Sequence, residues 1–205
     1  MNLPNKLSLL RIILIPVTLL FMLPISIYGF EPATWNGFIN NHGLLVAGVI
    51  FIIASLTDMM DGKIARKYNL ITNLGKFLDS LADKMLIIGV LMAFVQLGRI
   101  SAWWVMIIAL REFMVTGIRM LASSKGVVMA AKMIGKVKTT FQMIAIIWMM
   151  FEPTINKIIR HFFNVDSTGP VMIIGDIFFY FCVIMTIISG MDYLLKNLNY
   201  LKEAD

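Results

Sequence analysis

Four aspartates stand close together in an otherwise strongly apolar chain: Asp58, Asp61, Asp79 and Asp83, in the stretch DMMDGKIARKYNLITNLGKFLDSLAD. Asp58 and Asp61 are three positions apart and Asp79 and Asp83 four apart, so on helices each pair shares a face. The intervening ARKYNLITNLG lets the chain reverse and brings the two pairs together. Carboxylates gathered beside a membrane repel one another and lose hydration, and a divalent cation offsets both costs through hard oxygen ligation. Magnesium or manganese suits such a donor set. Zinc does not, because no histidine or cysteine lies nearby; His42 and His161 are expected on the opposite side of the membrane. The competing reading has the aspartates facing water or pairing with Lys63, Arg66 and Lys84, which explains one aspartate more readily than two helically spaced pairs.

Composition indicates what holds these residues. With 59% hydrophobic and 15% charged residues and a mean hydropathy of +0.83, the 205-residue chain reads as an integral membrane protein. The net charge of +6 is dispersed between apolar segments, with no continuous stripe of interleaved aromatics. That argues against nucleic acid as a partner and for an anionic membrane surface or a phosphorylated substrate. About twenty helical residues cross a hydrocarbon core, which places six spans near residues 7–28, 43–64, 77–98, 101–122, 132–152 and 170–195. Breaking residues in YGFEPATWNG and NVDSTGP mark the first loop and the entry to the last span. The expected fold is all-α, a polytopic membrane protein with six transmembrane helices, in a single domain over residues 1–205 with no internal repeat. Lys6 and Arg11 ahead of the first apolar run resemble the start of a leader, but no small-x-small cleavage signal precedes Trp35, so the span is expected to be retained. The single cysteine, Cys182, reads as a small buried hydrophobe.

Charge orients the bundle. With both termini cytoplasmic, the outside receives only Arg99, Lys157 and Arg160 of the 18 basic residues, as the positive-inside rule requires. The same orientation puts Trp35, Trp103, Trp104 and Trp148 at the outer interface, where an indole keeps its ring among headgroups and its N–H wet. All four aspartates then sit at the cytoplasmic side.

Asp58, Asp61, Gly62, Ala65, Arg66, Gly75, Asp79 and Asp83 fit the pattern D-x-x-D-G-x-x-A-R, eight residues, then G-x-x-x-D-x-x-x-D. This resembles the signature of the CDP-alcohol phosphotransferases. LPNKLSLLRIILIP, LREFMVTGIR and AKMIGKVKTTFQ resemble the branch of that family whose acceptor is sn-glycerol 3-phosphate, so the likeness covers nearly the whole chain. Leu9 after Ser8 is a slight departure at the amino end. The resemblance implies a metal-dependent enzyme of the cell membrane, commonly a homodimer, with a cytoplasmic-side active site. It would transfer a phosphatidyl group from CDP-diacylglycerol to an alcohol and release CMP. The branch implies sn-glycerol 3-phosphate as acceptor and phosphatidylglycerophosphate as product.

By the same resemblance Asp58, Asp61 and Asp79 hold metal, Asp83 contributes to the second position of a two-ion magnesium or manganese site, and Asp83 is also the general base. The two roles of Asp83 compete, since a carboxylate held by metal is a weaker base. CDP binding falls to Asp58, Asp61, Gly62, Ala65, Arg66 and Asp79, where Gly62 and Ala65 leave room for a nucleotide to approach the helix. Gly62 could equally relieve helix packing, and Arg66 could end its helix in the headgroup region.

An acceptor that carries phosphate needs cations, and Arg111, Arg119, Lys136 and Lys138 are the candidates. Arg119 with Lys136 is the stronger pair, an arginine fork beside a mobile ammonium. Arg111 next to Glu112 could instead be a structural ion pair, and positive-inside anchoring would account for all four. Three further readings stand beside this one: a sister enzyme using serine or an inositol phosphate, a cation or proton transporter with Asp176 and Asp192 on its path, and a noncatalytic membrane scaffold.

Overall fold

The computed structural model describes residues 3–26, 28, 30–67, 73–124 and 133–196, and side chains at 8–26, 28, 30–57, 75, 81–122, 133, 135 and 137–196. Among the described residues the fold is all-helical. In chain order the elements are α1 (Leu3–Met22), α2 (Ala33–Phe38) running through a π-helical turn (Ile39–Gly43) into α3 (Leu44–Lys67), α4 (Asn73–Gln96), α5 (Ala102–Ser124), α6 (Met133–Phe163) and α7 (Thr168–Lys196). Six of these are long, one for each apolar run of the sequence. α1 packs on α3 and α4, α3 on α6, and α6 and α5 on α7. The shared core takes Ile15 and Met22 from α1, Ala47, Phe51 and Ala54 from α3, Val90, Leu91 and Phe94 from α4, Ile108 from α5, Ile146, Met149 and Met150 from α6, and Phe179 and Val183 from α7.

The outside of this bundle carries many apolar side chains. Ile13, Val49, Ile53, Met92, Met106, Leu110, Ile177, Ile184 and Ile188 are all exposed, from every long helix but α6, where Ile144 takes that place. Continuous exposed apolar surface on several helices belongs against lipid. Hydroxyls in the spans close onto their own helix, as a medium without water demands: Thr18 donates to the Leu14 carbonyl at 2.8 Å, Ser55 to Phe51 at 2.8 Å and Thr186 to Cys182 at 2.7 Å. Cys182 is buried in α7, as its sequence context suggests. Close helix approach rests on small residues: a Cβ on Gly48 would lie 2.8 Å from the ring of Phe151.

Among the described residues two helices are both long and apolar enough to cross a membrane by length and composition, Ala33–Thr57 and Thr168–Lys196. The protein is therefore a membrane-associated helical fold with at least two such helices. The other long helices carry charge within their apolar runs, as at Arg111 and Glu112 in α5, or offer a shorter described stretch, as α1 does over Ser8–Met22.

Boundaries depart from the expected spans by six residues or more in three places, and in the second span the helix is entered ten residues before 43, at Ala33. α1 stops at Met22 rather than near residue 28, because Pro24 pushes its predecessor out of the helical region. The exposed turn is then pinned by Asn36, whose amide donates to the Ile25 carbonyl and accepts from the Ile25 N–H, both at 2.8 Å. α6 runs through Pro153 to Phe163, 31 residues or about 46 Å, beyond the expected end at 152. The far turns gain anchors of their own, Lys157 on the Asn41 carbonyl at 2.8 Å and Ser167 on Asn156 at 2.9 Å. Asn164, at φ 52°, takes the left-handed conformation that ends the helix.

Candidate active site

The aspartate motif falls on two helix ends. Asp58, Asp61, Gly62, Ala65 and Arg66 belong to the last turns of α3, and Gly75, Asp79 and Asp83 to the first turns of α4. The five residues between the helices span no more than about 20 Å, so both ends lie at one end of the bundle. That end also receives the start of α6 and the ends of α5 and α7. The side chains of Asp58, Asp61, Gly62, Ala65, Arg66, Asp79 and Lys136 lie outside the described residues.

Asp83 is half-buried and lines a small cavity with Lys84, Ile87 and Ile88 of α4, Glu112 of α5, and Lys138, Thr139 and Gln142 of α6. Three helices thus meet at the carboxylate that the motif ends on. The walls are charged: Lys138, only 1% exposed, places its ammonium on Glu112 Oε1, and Arg111 Nη1 donates to the same oxygen at 3.1 Å. Arg111 Nη2 reaches across to the Ser189 hydroxyl of α7. The neighbouring Gly190 is what lets the arginine stem lie there, since a Cβ would sit 2.9 Å from Arg111 Cγ. One carboxylate therefore answers two cations, and the trio ties α5, α6 and α7 together beside the cavity.

Arg119 stands apart from that trio. Its side chain is exposed, with the guanidinium carbon 5.6 Å from the centre of the Tyr193 ring, a cation–π contact. Asp192 pairs with Lys196 one turn on. Of the four cations expected to serve an acceptor phosphate, the structure thus brings Arg111 and Lys138 together on Glu112 and places Arg119 on Tyr193. The ion pair of Arg111 with Glu112 was legible from their adjacency. Lys138 as the second cation of Glu112 was not, nor was Gln142; the signal for both is that a strongly polar side chain inside an apolar helix needs a reason.

At the opposite end Arg99, between α4 and α5, joins Glu152 of α6 to Asp176 of α7: Nε and Nη2 donate to Glu152 at 2.9 Å each and Nη1 to Asp176 at 2.6 Å. Asp176 and Asp192 are thus about 24 Å apart along α7, each with its own cationic partner, and form no file of carboxylates through the membrane. His42 and His161 also belong to this far end, as expected.

Residues 1–189 match the family model described as CDP-alcohol phosphatidyltransferase. The chain belongs to this family. Among curated relatives, a CDP-diacylglycerol–glycerol-3-phosphate 3-phosphatidyltransferase of Bacillus subtilis is 38% identical over 209 residues, covering 100% of this chain and 99% of the relative. Proteins of the same name from Rickettsia felis and Escherichia coli K12 are 33% identical over 193 residues and 37% over 160, covering 94% and 75% of this chain and 93% and 79% of theirs. The match to the CDP-alcohol phosphatidyltransferases spans both helix ends that carry the aspartates, so the motif and the fold around it belong to one family unit. This makes the chain an enzyme of phospholipid synthesis rather than a transporter or scaffold.

A divalent cation is the general expectation for a CDP-alcohol phosphatidyltransferase, and the donors fit one. Asp58, Asp61, Asp79 and Asp83 offer only hard carboxylate oxygens, while the soft or borderline candidates are elsewhere, Cys182 buried within α7 and both histidines at the far end. Among the described side chains no group of three or more His, Cys, Asp or Glu is placed to hold a metal; the side chains of Asp58, Asp61 and Asp79 are not among them.

Proposed function

We propose that the protein transfers the phosphatidyl group of CDP-diacylglycerol to sn-glycerol 3-phosphate, yielding phosphatidylglycerophosphate and CMP. The observation that carries this reading is the likeness, along the whole chain, to relatives named for that reaction, with every position of the aspartate motif present. The acceptor's primary hydroxyl oxygen bonds to the phosphorus that bears the diacylglycerol, the bond from that phosphorus to the bridging oxygen breaks, and CMP leaves with the electron pair. Asp83 takes the hydroxyl proton. Asp58, Asp61, Asp79 and Asp83 would hold magnesium or manganese, as two ions, whose charge would screen the diphosphate and favour the leaving group. Gly62, Ala65 and Arg66, with Asp58, Asp61 and Asp79, receive the CDP group.

Helix ends at a membrane surface suit this substrate pair. The acyl chains stay in lipid beside the exposed apolar face of the bundle, while the diphosphate reaches the polar end where Asp83 lies. Arg119 and Lys136 bind the acceptor phosphate, with Arg111 and Lys138 supplying a second cationic layer already shared with Glu112. We assign all six long helices to transmembrane spans, the whole of residues 1–205 to one domain, both termini and the site to the cytoplasmic face of the cell membrane, and the assembly to a homodimer. The basic residues support the orientation, since among the described residues Arg99, Lys157 and Arg160 are the basic ones at the far end.

A competition assay tests the reaction. Purified protein receives CDP-diacylglycerol with equal sn-glycerol 3-phosphate, serine, inositol and inositol phosphate, and the lipid product is identified. Phosphatidylglycerophosphate is expected to dominate, and rigorous chelation is expected to stop CMP release until magnesium or manganese is restored. A serine or inositol lipid as main product overturns the acceptor; turnover undiminished by chelation overturns the metal dependence.

A further inference from the structure

Gln142 occupies an unusual position. It is 2% exposed, it lines the cavity that Asp83 also lines, and neither its amide nitrogen nor its amide oxygen has a hydrogen-bond partner. Buried amides in native proteins are almost always satisfied, because an unpaired donor or acceptor forfeits its hydration for nothing. The other polar groups of the cavity wall have engagements: Lys138 with Glu112, Thr139 with the Gly135 carbonyl at 3.0 Å, and Asp83 and Lys84 with contacts of their own. Gln142, a lining residue of the same small space, keeps both a donor and an acceptor unused.

The chemistry of that opening selects its occupant. Phosphate and carboxylate oxygens only accept, and a methylene does neither, whereas a hydroxyl accepts from the amide N–H and donates to the amide oxygen. The cavity has room for a small polar group of about the size of a water molecule. Of the acceptor's hydroxyls, the primary one must meet the base, Asp83, which leaves the adjacent secondary hydroxyl. We propose that Gln142 is a specificity-determining residue that hydrogen-bonds the secondary hydroxyl of the acceptor and so holds its primary hydroxyl at Asp83. This rests on sn-glycerol 3-phosphate being the acceptor.

The test is a cycle between residue and substrate. Full-length enzyme with magnesium is assayed for CMP release, as kcat/KM, with sn-glycerol 3-phosphate and with 3-hydroxypropyl phosphate, which lacks only the secondary hydroxyl. Wild type is expected to prefer sn-glycerol 3-phosphate by tenfold or more, and Gln142→Leu to lose that preference by falling on sn-glycerol 3-phosphate while changing little on the analogue. Gln142→Met, of similar shape, is expected to behave alike. Neither variant should melt lower than wild type, because each removes two unpaired polar groups from the interior. Equal use of the two acceptors by wild type, or an equal loss on both in the variants, overturns the proposal and leaves Gln142 to a buried water or to packing. Failure of wild type to release CMP with either acceptor is a different result: it removes the acceptor reading itself and the role of Gln142 with it.

Discussion

The two ends of the bundle both bury charge, and they do so in opposite ways. At the far end one arginine, Arg99, engages all three of its nitrogens: two bonds to Glu152, one to Asp176 and one to the Met172 carbonyl at 3.1 Å. Gly175 completes the fit, since a Cβ there would lie 2.2 Å from Glu152 Oε1, and the indole of Trp148 donates to the Val171 carbonyl at 2.9 Å. At the aspartate end Glu112 answers Arg111 and Lys138, but Arg111 Nε and both amide atoms of Gln142 are buried without partners. A closed network holds helices together; a partly open one, next to a cavity and a carboxylate, has capacity left for something that is not protein. On the proposed function, chemistry and clamping are divided between the two ends of one helical fold.

The largest break in this contrast is expected from Asp83→Asn. Removing a positioned general base costs on the order of 10²- to 10⁴-fold in rate, and the amide that replaces it keeps the shape of the cavity wall. CMP release should fall by that factor while melting temperature and CDP-diacylglycerol binding stay close to wild type. Equal rates for wild type and Asp83→Asn would remove Asp83 from the proton transfer and return it to the structural side of the comparison.

The far end should respond the other way round. Arg99→Leu leaves Glu152, whose side chain is 6% exposed, as a buried carboxylate without its cation, a situation that costs about 3 to 5 kcal/mol. The variant is expected to melt well below wild type, whereas CMP release per folded molecule is unchanged. Gly175→Ala should copy the melting defect by forcing Glu152 out of its place. A rate defect in folded Arg99→Leu as large as its stability defect would mean that the two ends are coupled.

What the sequence made legible follows the same division. Six long helices emerge from apolar run length read together with the turn signals that end each run, although by length and composition only Ala33–Thr57 and Thr168–Lys196 are apolar enough to cross a membrane among the described residues. Their ends were read less well, at Pro24 and Pro153, since whether a proline ends a helix depends on what the following turns can bind: Lys157 and Asn156 find partners that no local pattern announces. The motif aspartates are local, on helix ends three and four residues apart, and so could be found by spacing. The sharing of Glu112 by Arg111 and Lys138 joins residues on α5 and α6 that are 26 positions apart in the case of Glu112 and Lys138, which spacing does not encode. Arg99, Glu152 and Asp176 come from the α4–α5 connection, α6 and α7, and only the packing joins them.

The smallest effect, and the finest division, concerns Arg119. Its exposed guanidinium lies over Tyr193, so it has a structural partner as well as a proposed ligand. A surface cation–π contact contributes about 0.5 to 1 kcal/mol, whereas one charge-assisted hydrogen bond to a phosphate is worth roughly 1.5 to 3 kcal/mol. If Arg119 binds the acceptor phosphate, Arg119→Gln should raise the KM for sn-glycerol 3-phosphate about tenfold or more, with the requirement for CDP-diacylglycerol little changed. Tyr193→Leu removes the ring but leaves the cation, and should shift that KM by only a few fold. Arg119→Lys should recover part of the loss, since an ammonium supplies charge without the two-donor fork. Were Tyr193→Leu to match Arg119→Gln in KM and in melting temperature, the arginine would belong with Arg99 among the residues that hold helices, and the acceptor phosphate would fall to the cations at the start of α6.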